Sequence, residues 1–401
     1  MSEDFAGARI RSWRLKRGVS QRTLAGLAGV SQGYVSQIEA GLKEIERRST
    51  LVRFAEALQV SVADLTGQPF VPGDPQHARA LAAVPDIRAA LIALAFGDVA
   101  DMPSRSLDEL DATTRQLMTH RRRCEYADAA QLIAPLLRDL GAAAYSPRST
   151  GRDTALRLLT LATYHCAFAL MYLGFVDLPM TAAEHCHAAA QETGLPEFLG
   201  LADYVRLHAL PPESREVGRK LADAATARIA IGKSAESLQV YGMLHLTSAW
   251  ADALAGKAGD ADAHVAEAAQ IADRLGPDRA DGGFAEVNFG PTNVAQWRVS
   301  LTLEQGAHGR AIDLARTVNP ASILSRSRRV AFHIDFGSAL AASRRNDREA
   351  LGQFVTAERV APQRVRLSPV VRDTVGAMLR RARADAGGDA LRGLAARIGI
   401  A

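Results

Sequence analysis

The run Ser20-Gln21-Arg22-Thr23-Leu24-Ala25, followed by Gly29-Val30-Ser31-Gln32-Gly33-Tyr34-Val35-Ser36-Gln37-Ile38-Glu39-Ala40-Gly41, sets amide and hydroxyl side chains over an apolar stripe. Ser20 is placed to cap one helix, its hydroxyl accepting a free N–H of the first turn. Leu24, Ala25 and Ala28 follow at helical spacing, and Gly29 stands where a positive φ ends the helix. Ser31 caps a second helix whose buried stripe is Tyr34, Val35 and Ile38, and Gly41 stops it. Two short helices joined by a Gly-containing turn have the spacing of a helix-turn-helix. Such a unit lays its second helix in the DNA major groove. The chemistry it supports is hydrogen bonding: a glutamine amide both donates and accepts, matching the N6/N7 edge of adenine.

Further helices must position these two. Ile10, Trp13 and Leu15 lie on a first helix, and Leu51, Phe54, Ala55 and Leu58 on a fourth capped at Ser49. Val60, Val62 and Leu65 belong to a fifth, capped by Ser61. The segment, about residues 5–67, resembles the phage-repressor type of helix-turn-helix, the xenobiotic-response-element-like family. The matching residues are Ser20-Gln21, Leu24-Ala25, Val30-Ser31, Val35-Ser36, Ile38-Glu39, Gly41 and the ending Ala57-Leu58-Gln59-Val60-Ser61. The resemblance implies that Gln21 touches a phosphate. It also implies that Gln32, Gly33 and Gln37 face base edges, flanked by Ser31 and Ser36. Gly33 departs from the side-chain-bearing residue often found there: either one base contact is missing or the backbone approaches more closely. The stretch 42–48 departs too, with Lys43, Arg47 and Arg48 beside Glu44 and Glu46. Lys43, Arg47 and Arg48 are the candidate phosphate contacts there. The resemblance further implies a homodimer on double-stranded DNA, with half-sites about 34 Å apart.

A chain of 401 residues predicts two or three domains. With 48% hydrophobic residues it has ample material for folded cores. Net charge of +4 and pI near 9.1 permit nucleic-acid binding without demanding it. Almost all of the 48 basic residues are arginine, which reads as solvated helix faces rather than one basic patch. Three cysteines, an odd number, argue for a reducing compartment. The N-terminus lacks a secretory signal pattern, so a cytoplasmic location is expected. Residues 158–176 contain no charged side chain and approach a bilayer span in length. Their threonines, tyrosines, His165 and Cys166 fit a fully buried helix better than a membrane span.

The Pro/Gly-rich stretch 67–75 reads as an extended linker. A helix over 77–96 follows, with a kink or break at Pro85, then a polar break at 97–105. From there on the patterns are helical, without a strand run. Glu125–Ala130, Gly259–Ala263, Gly306–Ala311 and Asn346–Ala350 each open a second helix after an apolar first one. Those second helices close near Leu140-Gly141, Leu275-Gly276-Pro277, Val318-Asn319-Pro320 and Val360-Ala361-Pro362, and 175–194 has the same shape. Over about 105–362 this resembles degenerate tetratricopeptide repeats, which stack into a superhelix with a concave face; a generic all-α domain is the alternative. The expected fold is thus all-α. Residues 1–67 form a five-helix phage-repressor-like DNA-binding domain. Residues 68–104 are a linker and connecting helix. Residues 105–401 are a tetratricopeptide-like helical-hairpin superhelix, with the basic 380–401 segment capping its last repeat.

The pairing of these parts is similar to long regulators of actinobacteria. That resemblance rests also on Glu46–Leu51, Asp64–Pro69 and Asn288–Val294 with Trp297. It implies a repeat domain that senses a peptide or a small molecule. The long loop 276–291 and two helical i,i+4 pairs, Asn293 with Trp297 and Tyr241 with His245, are candidate ligand contacts, with core packing as the other reading. His165-Cys166 and His185-Cys186-His187 carry zinc-type ligands, yet lack any CxxC or HExxH spacing. Buried thiols and satisfied histidines are the expectation, with no metal and no cofactor. No nucleophile elbow, P-loop or dinucleotide fingerprint is present, so no enzymatic activity is expected. The function expected is a DNA-binding transcriptional regulator. The rival is an interaction scaffold whose repeats dock a partner protein while the head only tethers or dimerises.

Overall fold

The structure, a computed structural model, describes residues 6–45, 47–67, 75–146, 151–211, 214–228, 234–279, 282–382 and 388–400. Among them are 21 α-helices and no strand. Five short helices make the head: α1 (Ala6–Lys16), α2 (Gln21–Leu27), α3 (Gln32–Glu39), α4 (Arg48–Leu58) and α5 (Val62–Thr66). They enclose a core of their own around Ile10, Leu24, Val35, Ile38, Phe54, Leu58 and Leu65. Three of the four caps fall where the sequence places them. Ser20 accepts from the Thr23 N–H, Ser31 from Tyr34, and Ser61 forms a reciprocal capping box with Asp64.

Two expectations for the head need correction. Leu15 is 59% exposed, and the inward place on α1 goes to Arg14, at 8%. A buried ion pair with Glu39 makes a charged residue the core member there. Helix α4 starts at Arg48 rather than after Ser49, and its N-cap residue Arg47 makes no side-chain cap bond. The free Ser49 N–H instead donates to Glu304 Oε1 at 2.9 Å, from far along the chain.

Of the linker, residues 68–74 lie outside the described ones. Helix α6 (Pro75–Phe96) runs through Pro85 without a break. It packs on α8 (Tyr126–Tyr145) and joins the core of the array through Ala80, Val84, Ile87 and Leu91. Helical hairpins then follow in series. They are α7 (Leu107–Arg122) with α8, α9 (Arg152–Tyr172) with α10 (Leu178–Thr193), and α11 (Pro196–Ala209) with α12 (Arg215–Arg228). Next come α13 (Ala235–Leu254) with α14 (Ala258–Leu275), α15 (Pro291–Glu304) with α16 (His308–Thr317), and α17 (Arg326–Ala341) with α18 (Asp347–Val360). The short α19 (Pro362–Arg366), α20 (Pro369–Arg381) and α21 (Gly388–Arg397) close the chain. Within each hairpin the two helices pack together, and each first helix also packs on the next: α7 on α9, α9 on α11, then α13, α15 and α17. That stacking is the repeat architecture expected from the sequence. One helix end differs: α8 continues past Gly141 to Tyr145.

Helix α9 is the apolar segment of the membrane question. It is long and apolar enough to cross a bilayer, but 78% of its most apolar window is buried inside the fold. It is the inner member of a stack, held by α7, α8, α10 and α11.

The head seats on the array. Besides the Ser49–Glu304 bond, Arg380 Nε on α20 donates to the Gly41 carbonyl at 2.7 Å, directly after α3. The Ala6 N–H donates to Asp373 Oδ1 at 3.4 Å. The Arg47 guanidinium lies on Gly306, in the α15–α16 turn, so closely that a Cβ there would fall 2.0 Å from Cζ. Of the basic residues expected to cap the last repeat, Arg381 pairs with Asp347, Arg397 with Glu358 and Arg392 with Asp389, Arg380 reaches the head, and Arg383 lies outside the described residues.

Candidate DNA-reading surface and ligand cleft

On α3, Val35 and Ile38 are buried while Ser31, Gln32, Gly33, Ser36 and Gln37 are all exposed. The three residues expected at base edges and their two flanking serines therefore form one open polar face. Helix geometry explains this: positions 32, 33, 36 and 37 repeat at three and four residues, opposite the stripe at 35 and 38. Gln21 is half-buried and its Nε2 donates to Glu39 Oε2 at 2.9 Å, so the amide is held in one orientation. Lys43 is exposed, with its ammonium 5.1 Å from the centre of the Tyr34 ring. Arg47 turns toward Gly306 and hence toward the array. Arg48 begins α4, and its side chain is outside the described residues.

At Gly33 an added Cβ would meet nothing within 4 Å. Because glycine inside a helix costs about 0.5–1 kcal/mol relative to alanine, Gly33→Ala is expected to stabilise the head by about that amount in denaturant titration. A loss of stability would mean that the open space is misjudged. Weakened DNA binding by the stabilised variant would show that the backbone approaches DNA at this position.

A second polar surface lies in the array. Among the described residues of the loop 276–290 between α14 and α15, three non-glycine residues have positive φ: Ala285 (46°), Glu286 (54°) and Asn288 (55°). Such conformations persist only where surrounding contacts impose them. Here the Phe284 N–H donates to Gln239 Oε1 at 2.7 Å. The Phe289 ring sits on Gly242 of α13, where any Cβ would fall 2.0 Å from Cζ. Buried Glu286 faces Arg121 (3.9 Å) and Arg122 (3.4 Å). The held loop, the start of α15, residues 322–325 and Arg328 enclose a cleft with about 370 Å³ of empty space.

Behind this cleft three guanidiniums, Arg121, Arg328 and Arg364, share an interior with Tyr126, Tyr164, Tyr172 and Tyr204. Arg364 lies 4.3 Å over the Tyr172 ring, and Arg328 Nη2 donates to the Tyr204 hydroxyl at 3.1 Å. Burial pushes the Tyr164 phenol well above its usual value. At Tyr172 burial acts the same way, but Arg364, Arg328 and Arg121 together outweigh it and bring the phenol below its usual value.

A helix-turn-helix domain family matches residues 6–66. The head is a helix-turn-helix domain. No curated protein matches the chain. Among solved structures, the crystal structure of Bacillus thuringiensis PlcR in complex with the peptide PapR7 and DNA is similar. The identity is 10%, the match covers 92% of this chain and 99% of that chain, and the TM-score is 0.38.

With the helix-turn-helix domain accounted for, the candidate ligand residues divide. Asn293 and Trp297 are on α15; Asn293 lines the cleft, while the Trp297 ring meets His208 edge-on at 6.2 Å. Thr292 lies in the first turn of α15, and Gly290 holds the cap position. Tyr241 and His245 turn instead toward α14: His245 Nδ1 is 2.8 Å from His264 Nδ1, and the Tyr241 ring packs edge-on against His245. Burial, then His264, lowers the His245 pKa to about 4. This pair therefore meets α14 within one hairpin.

The two His/Cys groups are not brought to one point. Arg121 Nε donates to His165 Nδ1 at 2.5 Å, Cys186 Sγ donates to the Thr160 carbonyl at 3.4 Å, and His187 faces Asp203 at 3.7 Å. Burial drives His165 well below its usual pKa and lifts the Cys186 thiol to about 12. Among the described residues the group spaced for a metal is instead half-buried His120, Glu125 and Asp128. There Asp128 is already bound by Arg79 at 2.9 Å.

Two features escaped sequence reasoning. Arg22 is exposed in the first turn of α2, beside Gln21, and its place in the motif was the available signal. The Arg121–Arg328–Arg364 cluster had none, since these residues come from three distant helices.

Proposed function

We propose that this protein is a cytoplasmic, sequence-specific transcriptional regulator. Its phage-repressor-type head reads DNA as a dimer, and its helical array senses a peptide or small molecule. The observation that carries this reading is the position of α15. Near its N-terminus Asn293 and Gln296 line the cleft; at its C-terminus Glu304 caps α4 of the head. A helix of 14 residues is a rod of roughly 20 Å. A ligand that moves its first turn moves the carboxylate that holds the DNA-reading domain, and so the separation of two heads on a dimeric site.

Binding of the purified chain to a genomic fragment library, at stated salt, tests the first half. A recurrent palindromic site is the expected result; salt-sensitive binding without sequence preference would overturn it. The link is tested by Glu304→Ala. Losing a helix-start acceptor costs about 1 kcal/mol, so amide exchange in the first turn of α4 should quicken roughly fivefold. Unchanged exchange there would rule out Glu304 as the connection.

A further inference from the structure

Arg328, in the first turn of α17, faces the cleft without a carboxylate of its own. Among the described residues its acceptors are the Tyr204 hydroxyl (3.1 Å) and the Val287 carbonyl (3.3 Å), both neutral and both reached through Nη2. Its Nε and Nη1 N–H groups remain for another partner. Two neighbouring acids are committed elsewhere. Glu286 faces Arg121 and Arg122, and Asp335 accepts from Ser300. Among the described residues Asp278 is the acid that lines the cleft; its Oδ1 lies against Gly290 at the start of α15, where a Cβ would fall 2.1 Å away. A partly buried cation without a paired carboxylate is unfavourable until an anion joins it.

Beside Arg328 the cleft presents amides that are also unsatisfied. Asn293 is 4% and Gln296 7% exposed. Neither Asn293 Oδ1 nor its Nδ2 has a hydrogen-bond partner, nor has Gln296 Nε2. Buried polar atoms of this kind are costly unless something supplies the missing bonds. Besides Asp278 and Arg279, the walls offer the Arg328 guanidinium, two N–H₂ donors and one carbonyl acceptor.

We infer that this cleft binds a ligand carrying a carboxylate next to an amide, the carboxylate on Arg328 and the amide between Asn293 and Gln296. A charged acceptor complements the guanidinium, and an asparagine side chain donates to and accepts from an amide at once. The terminal residue of a peptide and an N-acyl amino acid share this chemistry. The inference gives the sensing role proposed above its ligand class. Its test uses no DNA, so either reading can fail while the other stands.

The experiment is calorimetric titration of the full-length chain with N-acetyl amino acids and with the same compounds as primary amides. The acids are expected to bind about tenfold or more tightly than the amides. Arg328→Gln should bring acid affinity down to that of the amide, and Arg328→Lys should keep part of the preference. Asn293→Asp, which alters charge at nearly constant shape, should abolish the preference even if Arg328→Gln proves unstable. N-acetyl tripeptides separate the sources: tighter binding than the single residue identifies a peptide end, weaker binding a small acylated metabolite. Equal binding of acids and amides by the unaltered chain would overturn the inference. So would the absence of saturable binding by every probe up to about 10 mM.

Discussion

Glu39→Ala is expected to unfold the helix-turn-helix domain rather than weaken its contact with DNA. Glu39 is 5% exposed and accepts from Arg14 Nε (2.6 Å), Arg14 Nη2 (2.8 Å) and Gln21 Nε2 (2.9 Å). It ties α1, α2 and α3 together. Truncating it leaves the Arg14 guanidinium buried with the Val19 carbonyl as its remaining acceptor. Breaking a buried pair by removing one partner costs about 3–5 kcal/mol. A domain of this size has roughly 3–9 kcal/mol in all, at about 0.05–0.15 kcal/mol per residue. Urea titration should show the head melting early while the array, whose core is separate, keeps its own transition. A paired Arg14→Met, Glu39→Met variant should recover much of the loss, because apolar replacement removes the stranded charge. If Glu39→Ala stays within about 1 kcal/mol of the parent, the network does not hold the domain.

Gln32→Ala with Gln37→Ala should have a comparable effect on DNA binding and none on folding. Both side chains are exposed on the open face of α3, so stability is untouched. A base contact of this kind is worth about 1–3 kcal/mol. Two of them correspond to roughly 30-fold to 10⁴-fold in affinity for the chosen site. The salt dependence should stay the same, since no phosphate contact is removed. Arg22→Ala is the contrasting case: weaker binding to all sequences, with a salt slope reduced by about 1 if it meets a phosphate. Undiminished selectivity in the double variant would place recognition elsewhere, and the scaffold reading of the repeats would gain.

The reading helix was legible because its signals are local. A serine cap, a glycine stop and an apolar stripe at three and four residues act within one or two turns, and Ser20, Ser31, Ser61, Gly29 and Gly41 fall accordingly. The repeat hairpins were legible for the same reason. Where periodicity erred, a distant group had intervened. Arg14 took the core position assigned to Leu15 because Glu39, on another helix, neutralises it. The capping role assigned to Ser49 passed to Glu304. Tyr241 and His245 have the spacing of a binding pair, but spacing does not say which neighbouring helix a face meets; it meets α14.

The sequence by itself therefore determined the all-helical class, the helix-turn-helix domain with its polar face, and the stacked hairpins, since each follows from propensity and period over a few residues. Tertiary structure alone decided that the head is seated on α15 and α20, that the His/Cys groups stay apart, and that Arg121, Arg328 and Arg364 gather behind one cleft. Those outcomes depend on contacts between residues far apart in the chain, and hydrophobic periodicity carries no information about which buried faces meet.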